Sequence, residues 1–354
     1  MANEDALSAA RRALRAVRAP DDARDIVGRG LVTELTLSPQ GVAKAVINTA
    51  DDAVLAEAKA ALQNVAGVAR AVVVRATRPA GHADPLSLKT ASRIEAAAFG
   101  ALKDIRKVVA IASGKGGVGK STTSANLAVA LARRGLTVGL LDADIYGPSL
   151  PTLFGLRSRP EIRDGKIIPV EAFGVVSMSI GLLVDPGKAL AWRGPMVMGA
   201  VRQLLADVAW GALDILMIDT PPGTGDVHLS LIQSKRLDAV IIVSTPQEMA
   251  LADARRGIEL FRTAGANVIG VVENMAYLDI GGARRFIFGE GGAQRVAREA
   301  GAPFLGSVPI FPDLREASDV GTPIAAQDPG SQATETFAAL AAGVAAALGF
   351  TKPV

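Results

Sequence analysis

No cysteine occurs among the 354 residues of this chain, which excludes disulfides and every metal centre built on thiolates. Histidine is nearly absent as well: His82 and His228 are the two present, too few to complete a nitrogen-ligated metal site. For His228 the expectation is a solvated or hydrogen-bonded structural role. Neither sign of charge dominates, since 38 Lys and Arg face 35 Asp and Glu for a net charge of +3. A balance that even gives no field strong enough to imply a nucleic-acid partner, although a pI near 9.2 leaves weak association open. Long apolar runs are missing too. The longest, Thr336 to Phe350, is alanine-rich and spans 15 residues, short of the roughly 20 needed to cross a bilayer and suited to a packed helix. Met1 to Pro20 mixes acidic residues and arginines without an apolar centre, so no secretory leader is expected. The expectation is a soluble, cytoplasmic protein with no membrane partner.

Against those absences stands one dense motif, Gly114-Lys115-Gly116-Gly117-Val118-Gly119-Lys120-Ser121-Thr122. It fits the phosphate-binding pattern G-x-x-x-x-G-K-[ST], in which backbone N–H groups converge on phosphates, the lysine reaches the terminal phosphates and the hydroxyl ligates magnesium. Those roles fall to Gly116 through Thr122, with Lys120 and Ser121 central. Lys115 is an additional lysine at the loop's entrance, where its side chain can point toward a neighbouring subunit. The pattern therefore implies an ATPase that works as a homodimer and uses ATP with Mg2+. The context agrees: Lys107 to Ser113 is a β-branched apolar run, and Ser121 to Arg134 carries Leu127, Ala130 and Leu131 at helical spacing before Gly135.

The length favours two domains. Residues 1–78 read as a small α/β unit: a helix with Leu7, Ala10, Leu14 and Val17 on one face, strands at Leu31–Ser38, Val42–Asn48 and Ala69–Ala76, and a helix at Asp52–Asn64. Residues 79–104 read as a linker and lead-in helix. Residues 105–350 alternate apolar strands with helical segments, the strands after the first falling at Thr137–Leu141, Val175–Ile180, Ile215–Ile218, Ala239–Ser244 and Val268–Val272. Such alternation predicts an α/β fold of the P-loop type, with a mostly parallel sheet and helices on both faces. Ligands of such sheets bind beyond the carboxyl ends of the strands.

Two acidic motifs fall there. Asp142 and Asp144 sit two residues apart at a strand end, so both leave it on the same side; each could serve the magnesium sphere or attacking water, or cap the following turn. Asp219 is delivered by Leu216-Met217-Ile218 into a Thr-Pro-Pro-Gly-Thr-Gly loop, near magnesium, where Gly223 could offer its N–H to a γ phosphate. Trp192 and Arg193 form either a nucleotide or subunit contact, or a helix entry with a packed Trp. Tyr277, Phe286 and Phe288 read as a core aromatic cluster.

In this order the motifs resemble the Mrp/ApbC iron-sulfur carrier family, a branch of the deviant Walker A ATPases that includes MinD and ParA. The resemblance spans GKGGVGKST at 114–122, LDADIYGPSLP at 141–151, WRGPM at 192–196, IDTPPGTGD at 218–226, STPQEMALADARRG at 244–257 and VVENM at 271–275. It implies that Lys115 acts across the dimer, that Lys120, Asp144 and Asp219 support hydrolysis, and that Gly114 through Thr122 hold the nucleotide. Ser121, Asp142, Asp144 and Asp219 would surround magnesium, and Asn274 with the segment around Pro309 would hold adenine. It implies iron-sulfur scaffold or apoprotein clients as partners, and a small N-terminal domain found elsewhere in iron-sulfur assembly. Members of this family usually carry a C-x-x-C pair after the V-E-N-M block and hold a [4Fe-4S] cluster between subunits. Here residues 275–288 offer a carboxylate, a thioether, a phenol and two guanidinium groups instead. Cluster iron wants soft thiolate ligands, so no iron-sulfur ligands are assigned and the isolated homodimer is expected not to retain a cluster. The alternative is a MinD- or ParA-like dimerisation switch for a non-metal cargo. MinD-like attachment wants a basic amphipathic C-terminal helix, whereas residues 331–354 contain Lys352 as their one basic residue.

Overall fold

The computed structural model describes residues 2–18, 25–28, 30–38, 41–49, 51–75, 102–183, 194–233 and 236–350. The expected linker at 79–104, Trp192, Arg193 and Lys352 lie wholly or mostly outside them. The chain forms two compact units, Met1–Asp84 and Pro85–Val354.

In the first unit, helix α1 (Ala2–Leu14), strands β1 (Val32–Leu37) and β2 (Val42–Ile47), helix α2 (Asp52–Gln63) and strand β3 (Arg70–Arg75) follow the expected order. The sheet runs β1-β2-β3, antiparallel then parallel. Alternation decides which face is covered: Ala43, Ala45 and Ile47 of β2 are buried with Ala10 and Leu14 of α1 and Val54, Ala58 and Leu62 of α2. Asp51 starts α2 by accepting from the Ala53 N–H at 2.8 Å.

The second unit is built on an eight-stranded sheet. Its strands are β4 (Ile105–Ala112), β5 (Val138–Asp142), β8 (Val170–Ala172), β9 (Val175–Ser179), β10 (Leu213–Asp219), β11 (Ala239–Ser244), β12 (Val268–Asn274) and β15 (Phe304–Val308). Two small hairpins complete the numbering, β6 (Ile162–Arg163) with β7 (Lys166–Ile167), and β13 (Leu278–Ile280) with β14 (Ala283–Arg285). The order is β15-β12-β11-β4-β10-β5-β9-β8, parallel throughout except for β8, which lies antiparallel on β9. Both faces are covered, as continuous apolar strands require. Val109 and Ile111 of β4 join one core with helix α3 (Lys120–Arg133) and helix Gln332–Ala347, while Val108 on the opposite face joins helix Gly194–Asp207. Ala110 and Ala112 face helix Glu248–Thr263. Fully burying each large aliphatic side chain contributes about 1.5–3 kcal/mol, so these interfaces fix the sheet as a rigid platform.

The apolar stretch at 336–350 is indeed a packed helix, with Phe337, Leu340, Ala341 and Val344 buried. The aromatic cluster at Tyr277, Phe286 and Phe288 is not core. Tyr277 and Phe286 do touch edge to face at 6.1 Å, but Phe286 is 40% exposed because residues 278–285 turn outward as the β13–β14 hairpin. Gly281 and Gly282 supply its two-residue turn, both with positive φ, 61° and 84°, the combination a type I′ turn demands.

Candidate functional site

Strand β4 is central, with β10 on one side and β11 on the other, so the loop that leaves its carboxyl end is flanked by both neighbours. That loop is the glycine-rich motif. Gly117 and Gly119 adopt φ of +79° and +78°, which a side chain would strain. The loop ends in α3, whose first turn has no side-chain cap. Its leading N–H groups and the positive end of its dipole are therefore free to meet an anion. Around this turn lies a cradle of about 260 Å3 bordered by Lys115, Gly117, Lys120, Ser121, Asp144 and Pro222. Nothing lies within 4 Å of the position a Cβ on Gly117 would take. Concave backbone with convergent N–H groups, lysines, hydroxyls and the Asp144 carboxylate at its border is a donor set suited to a magnesium-bound nucleotide triphosphate.

Lys120 and Asp219 form the centre of the site. Lys120 Nζ lies 2.7 Å from Asp219 Oδ1, with both side chains nearly solvent-free. Ser124, one helical turn beyond Lys120, donates to the same carboxylate oxygen at 2.8 Å. Lys120 Nζ also donates to Ser121 Oγ at 3.2 Å. The charges are desolvated and fixed, which a buried pair tolerates only when paired and hydrogen-bonded.

Parallel register sets Asp219 beside Asp142. The geometry gives Asp142 the turn-capping role: its Oδ2 accepts from Ser149 N at 3.0 Å, Leu150 N at 3.1 Å and Ser179 Oγ at 3.0 Å, and its Oδ1 from Asp144 N at 3.1 Å. These bonds shape the loop from Ala143 to Leu150 and leave Asp142 engaged by protein rather than turned to the cradle. Burial, and then the neighbouring charge of Asp219, pushes its carboxyl up to about 7. Asp144 is half-buried and borders the cradle; its Oδ1 accepts from Gly147 N at 3.2 Å.

Other expected residues find different partners. Gly223 does not hold its N–H free for a phosphate: it donates to the Ser113 carbonyl at 2.9 Å, fastening the loop after Asp219 to the root of the phosphate loop. Gly114 is needed for packing, since a Cβ there would fall 2.3 Å from the Asp253 backbone in helix Glu248–Thr263. Lys115 borders the cradle, half-buried, and forms no ion pair among the described residues; its own carbonyl accepts from Ser113 Oγ at 3.0 Å. Asn274 ends β12 and pairs in register with Val308, the last residue of β15, which Pro309 follows. The Asn274 amide, however, is spent on the phosphate loop itself, donating to Val118 O at 2.8 Å.

His228 is buried, and its Nε2 lies 2.9 Å from Thr220 Oγ1. Burial pushes its pKa down to about 4, opposed by a hydrogen bond to the Gly225 backbone and assisted by the charge of Lys120. Of the two roles expected for it, the structure shows the hydrogen-bonded one and not the solvated one. Ser124, Ser149, Ser179 and Thr220 were not singled out by sequence. Ser124 had a signal, its spacing of four from Lys120 on one helix face; the others are joined to the site only by the fold.

Against known proteins, a family model described as "ParA: NUBPL iron-transfer P-loop NTPase" matches residues 104–345, most of the chain. The chain belongs to this family. A protein of Pseudomonas fragi named iron-sulfur cluster carrier protein is 51% identical over 65% of this chain and 82% of its own. One of the same name from Helicobacter pylori is 38% identical over 98% of this chain and 93% of its own, so similarity reaches the N-terminal unit. Among solved structures, a nucleotide-binding protein of Archaeoglobus fulgidus in complex with ADP, with cobalt, is 40% identical over 64% of this chain and 91% of that one, with a TM-score of 0.57. The iron-transfer NTPase family thus accounts for the cradle. It does not account for the hairpin at 275–288, where no group of three or more His, Cys, Asp or Glu that could hold a metal ion is found among the described residues. Nor is any helix among them long and apolar enough to cross a membrane.

Proposed function

We propose that this protein binds and hydrolyses ATP as a homodimer and assists the transfer of iron-sulfur clusters, as substrate, to apoproteins, with the cluster's thiolates supplied by a scaffold or client. The observation that carries this reading is the Lys120–Asp219 pair at 2.7 Å on the floor of the phosphate cradle, in a chain whose relatives bear cluster-carrier names. Lys120 and Ser121 bind, with Ser121, Asp144 and Asp219 the groups that would hold magnesium. That ion would neutralise charge on the terminal phosphates, and Asp144 would orient the attacking water. When a nucleotide enters, Lys120 has a partner to trade, moving its charge from the Asp219 carboxylate to phosphate and freeing the carboxylate for magnesium. Lys115 reaches the second subunit's nucleotide, and the Asn274–Pro309 corner borders adenine. Hydrolysis is slow and Mg2+-dependent, and the setting is cytoplasmic.

Cargo chemistry follows from the exposed hairpin. Residues 279–287 are solvent-facing, and Arg284 is stacked over the Tyr277 ring at 4.5 Å. Guanidinium, carboxylate and aliphatic groups do not match cluster iron. Anaerobic reconstitution with iron and sulfide tests the reading. The isolated protein, desalted without glutathione, should show no stoichiometric charge-transfer absorption, and a thiol-bearing scaffold should restore transfer that depends on ATP. A stable cluster on the isolated protein would overturn the partner-thiol arrangement, and transfer indifferent to ATP would overturn the carrier role.

A further inference from the structure

Ser124 is fully buried in α3, and its hydroxyl has two acceptors within reach. Asp219 Oδ1 lies 2.8 Å from Ser124 Oγ, and the Lys120 carbonyl oxygen 3.0 Å. A hydroxyl has one proton to donate, so the two bonds compete. The bond to Lys120 is the ordinary back-bond of a helical serine to a carbonyl one turn earlier. The bond to Asp219 has no local origin. It crosses from α3 to the end of β10, 95 residues away in sequence.

Lys120 sets the balance between these acceptors. In the free protein its ammonium sits 2.7 Å from the same Asp219 Oδ1 and 3.2 Å from Ser121 Oγ. One lysine therefore holds two of the groups assigned above to magnesium. Drawing it to a phosphate takes the compensating charge from a carboxylate that is 3% exposed, and a buried charge without a partner is strongly destabilising. The Asp219 oxygen then becomes the better of the two acceptors, because a hydrogen bond to an ionised group is about twice as strong as one to a neutral carbonyl. Reach favours the same outcome. The long Lys120 side chain can swing toward a ligand, whereas Ser124 meets Asp219 through a single side-chain torsion from a helix packed into the core.

We infer that Ser124 is a positioning residue for Asp219 in the nucleotide-bound site. When Lys120 turns to phosphate, Ser124 Oγ–H commits to Asp219 Oδ1, holds the carboxylate where the free protein has it, and leaves Oδ2 for magnesium. The inference rests on the ATP-binding reading above and adds to it a side chain that is not among the described residues bordering the cradle.

Two measurements separate this role from a purely structural one. The first needs neither nucleotide nor metal. Lys120→Ala imitates the departed lysine, so Ser124→Ala should be more damaging in that background than in the wild type. Urea titrations of the wild type, the two single variants and the double variant should show the unfolding constant rising about tenfold more, a coupling of about 1.4 kcal/mol. Equal effects in the two backgrounds would overturn the inference, because a serine bonded only to its helix carbonyl is indifferent to the Lys120 side chain. The second measurement keeps Lys120 and serves even where the double variant does not fold. Calorimetric ADP titrations with Mg2+ and with EDTA give the gain in affinity that the metal supplies, and in Ser124→Ala this gain should be about tenfold smaller than in the wild type. An undiminished gain would overturn the inference. A wild-type protein that binds no ADP, or gains nothing from Mg2+, would overturn the ATP-binding reading beneath it instead.

Discussion

Asn274 donates its side-chain amide to the carbonyl of Val118 at 2.8 Å, strapping the end of β12 to the middle of the phosphate loop. Both residues are buried. The same amide nitrogen closes the space over Gly119, where an added Cβ would lie 2.1 Å away. One side chain thus holds the loop's shape and forbids bulk at its last glycine, while the glycine's φ of +78° makes the turn into α3.

Removing the strap should loosen the loop before it loosens the fold. Asn274→Ala leaves a buried carbonyl without its donor, at about 1–3 kcal/mol, and should weaken ADP binding by a similar free energy. Gly119→Ala, strained in φ and crowded against Asn274, should lose nucleotide binding altogether. Urea titrations and calorimetric ADP titrations measure both; wild-type ADP affinity in Asn274→Ala would remove the strap from nucleotide binding.

Lys120→Ala should abolish nucleotide binding and also destabilise the protein, because it strands the Asp219 carboxylate in a nearly dry site. Breaking one side of a buried pair costs about 3–5 kcal/mol. Adding Asp219→Asn should recover much of that stability without recovering binding. Equal thermal midpoints for the single and double variants would show that Asp219 is not charged against Lys120.

Lys115 forms no ion pair among the described residues, so its loss should leave the fold intact. Lys115→Ala should bind ATP with wild-type affinity yet hydrolyse it slower by a factor of about 10³ or more, as loss of a cross-subunit cation does in related chemistry. Turnover assays paired with light scattering decide the matter. Wild-type turnover by a strictly monomeric Lys115→Ala protein would end the cross-subunit role.

His228 should make the fold sensitive to acid. Its folded pKa, about 4, lies below the ordinary 6.5, so the unfolded chain binds the proton first as pH falls. The stability it contributes is whole above pH 6.5 and is lost progressively toward pH 4. The drop is worth about 3 kcal/mol. His228→Leu should be less stable at pH 7, through loss of the Thr220 bond, yet fall less steeply between pH 6.5 and 4. Parallel stability curves for the two proteins would show that this imidazole is not held neutral.

The phosphate loop, its flanking strand and helix, and the carboxylates at 142, 144 and 219 were legible in the sequence because each depends on local rules. Glycines mark positive φ, β-branched runs mark buried strands, and the end of such a run marks where a carboxylate is delivered. The absence of cysteine was legible too, and it underlies the proposal that a partner supplies the cluster's thiolates. Only the tertiary structure assigned the partners. That Asp142 shapes the loop beside it while Asp144 borders the cradle depends on Ser179 arriving from β9, 37 residues away. Gly223 fastened to Ser113, Asn274 to Val118 across 156 residues, and Gly114 pressed against Asp253 depend on which strands lie side by side. Strand order is set by how whole apolar faces pack, a property of the assembled sheet and its helices that no single segment carries.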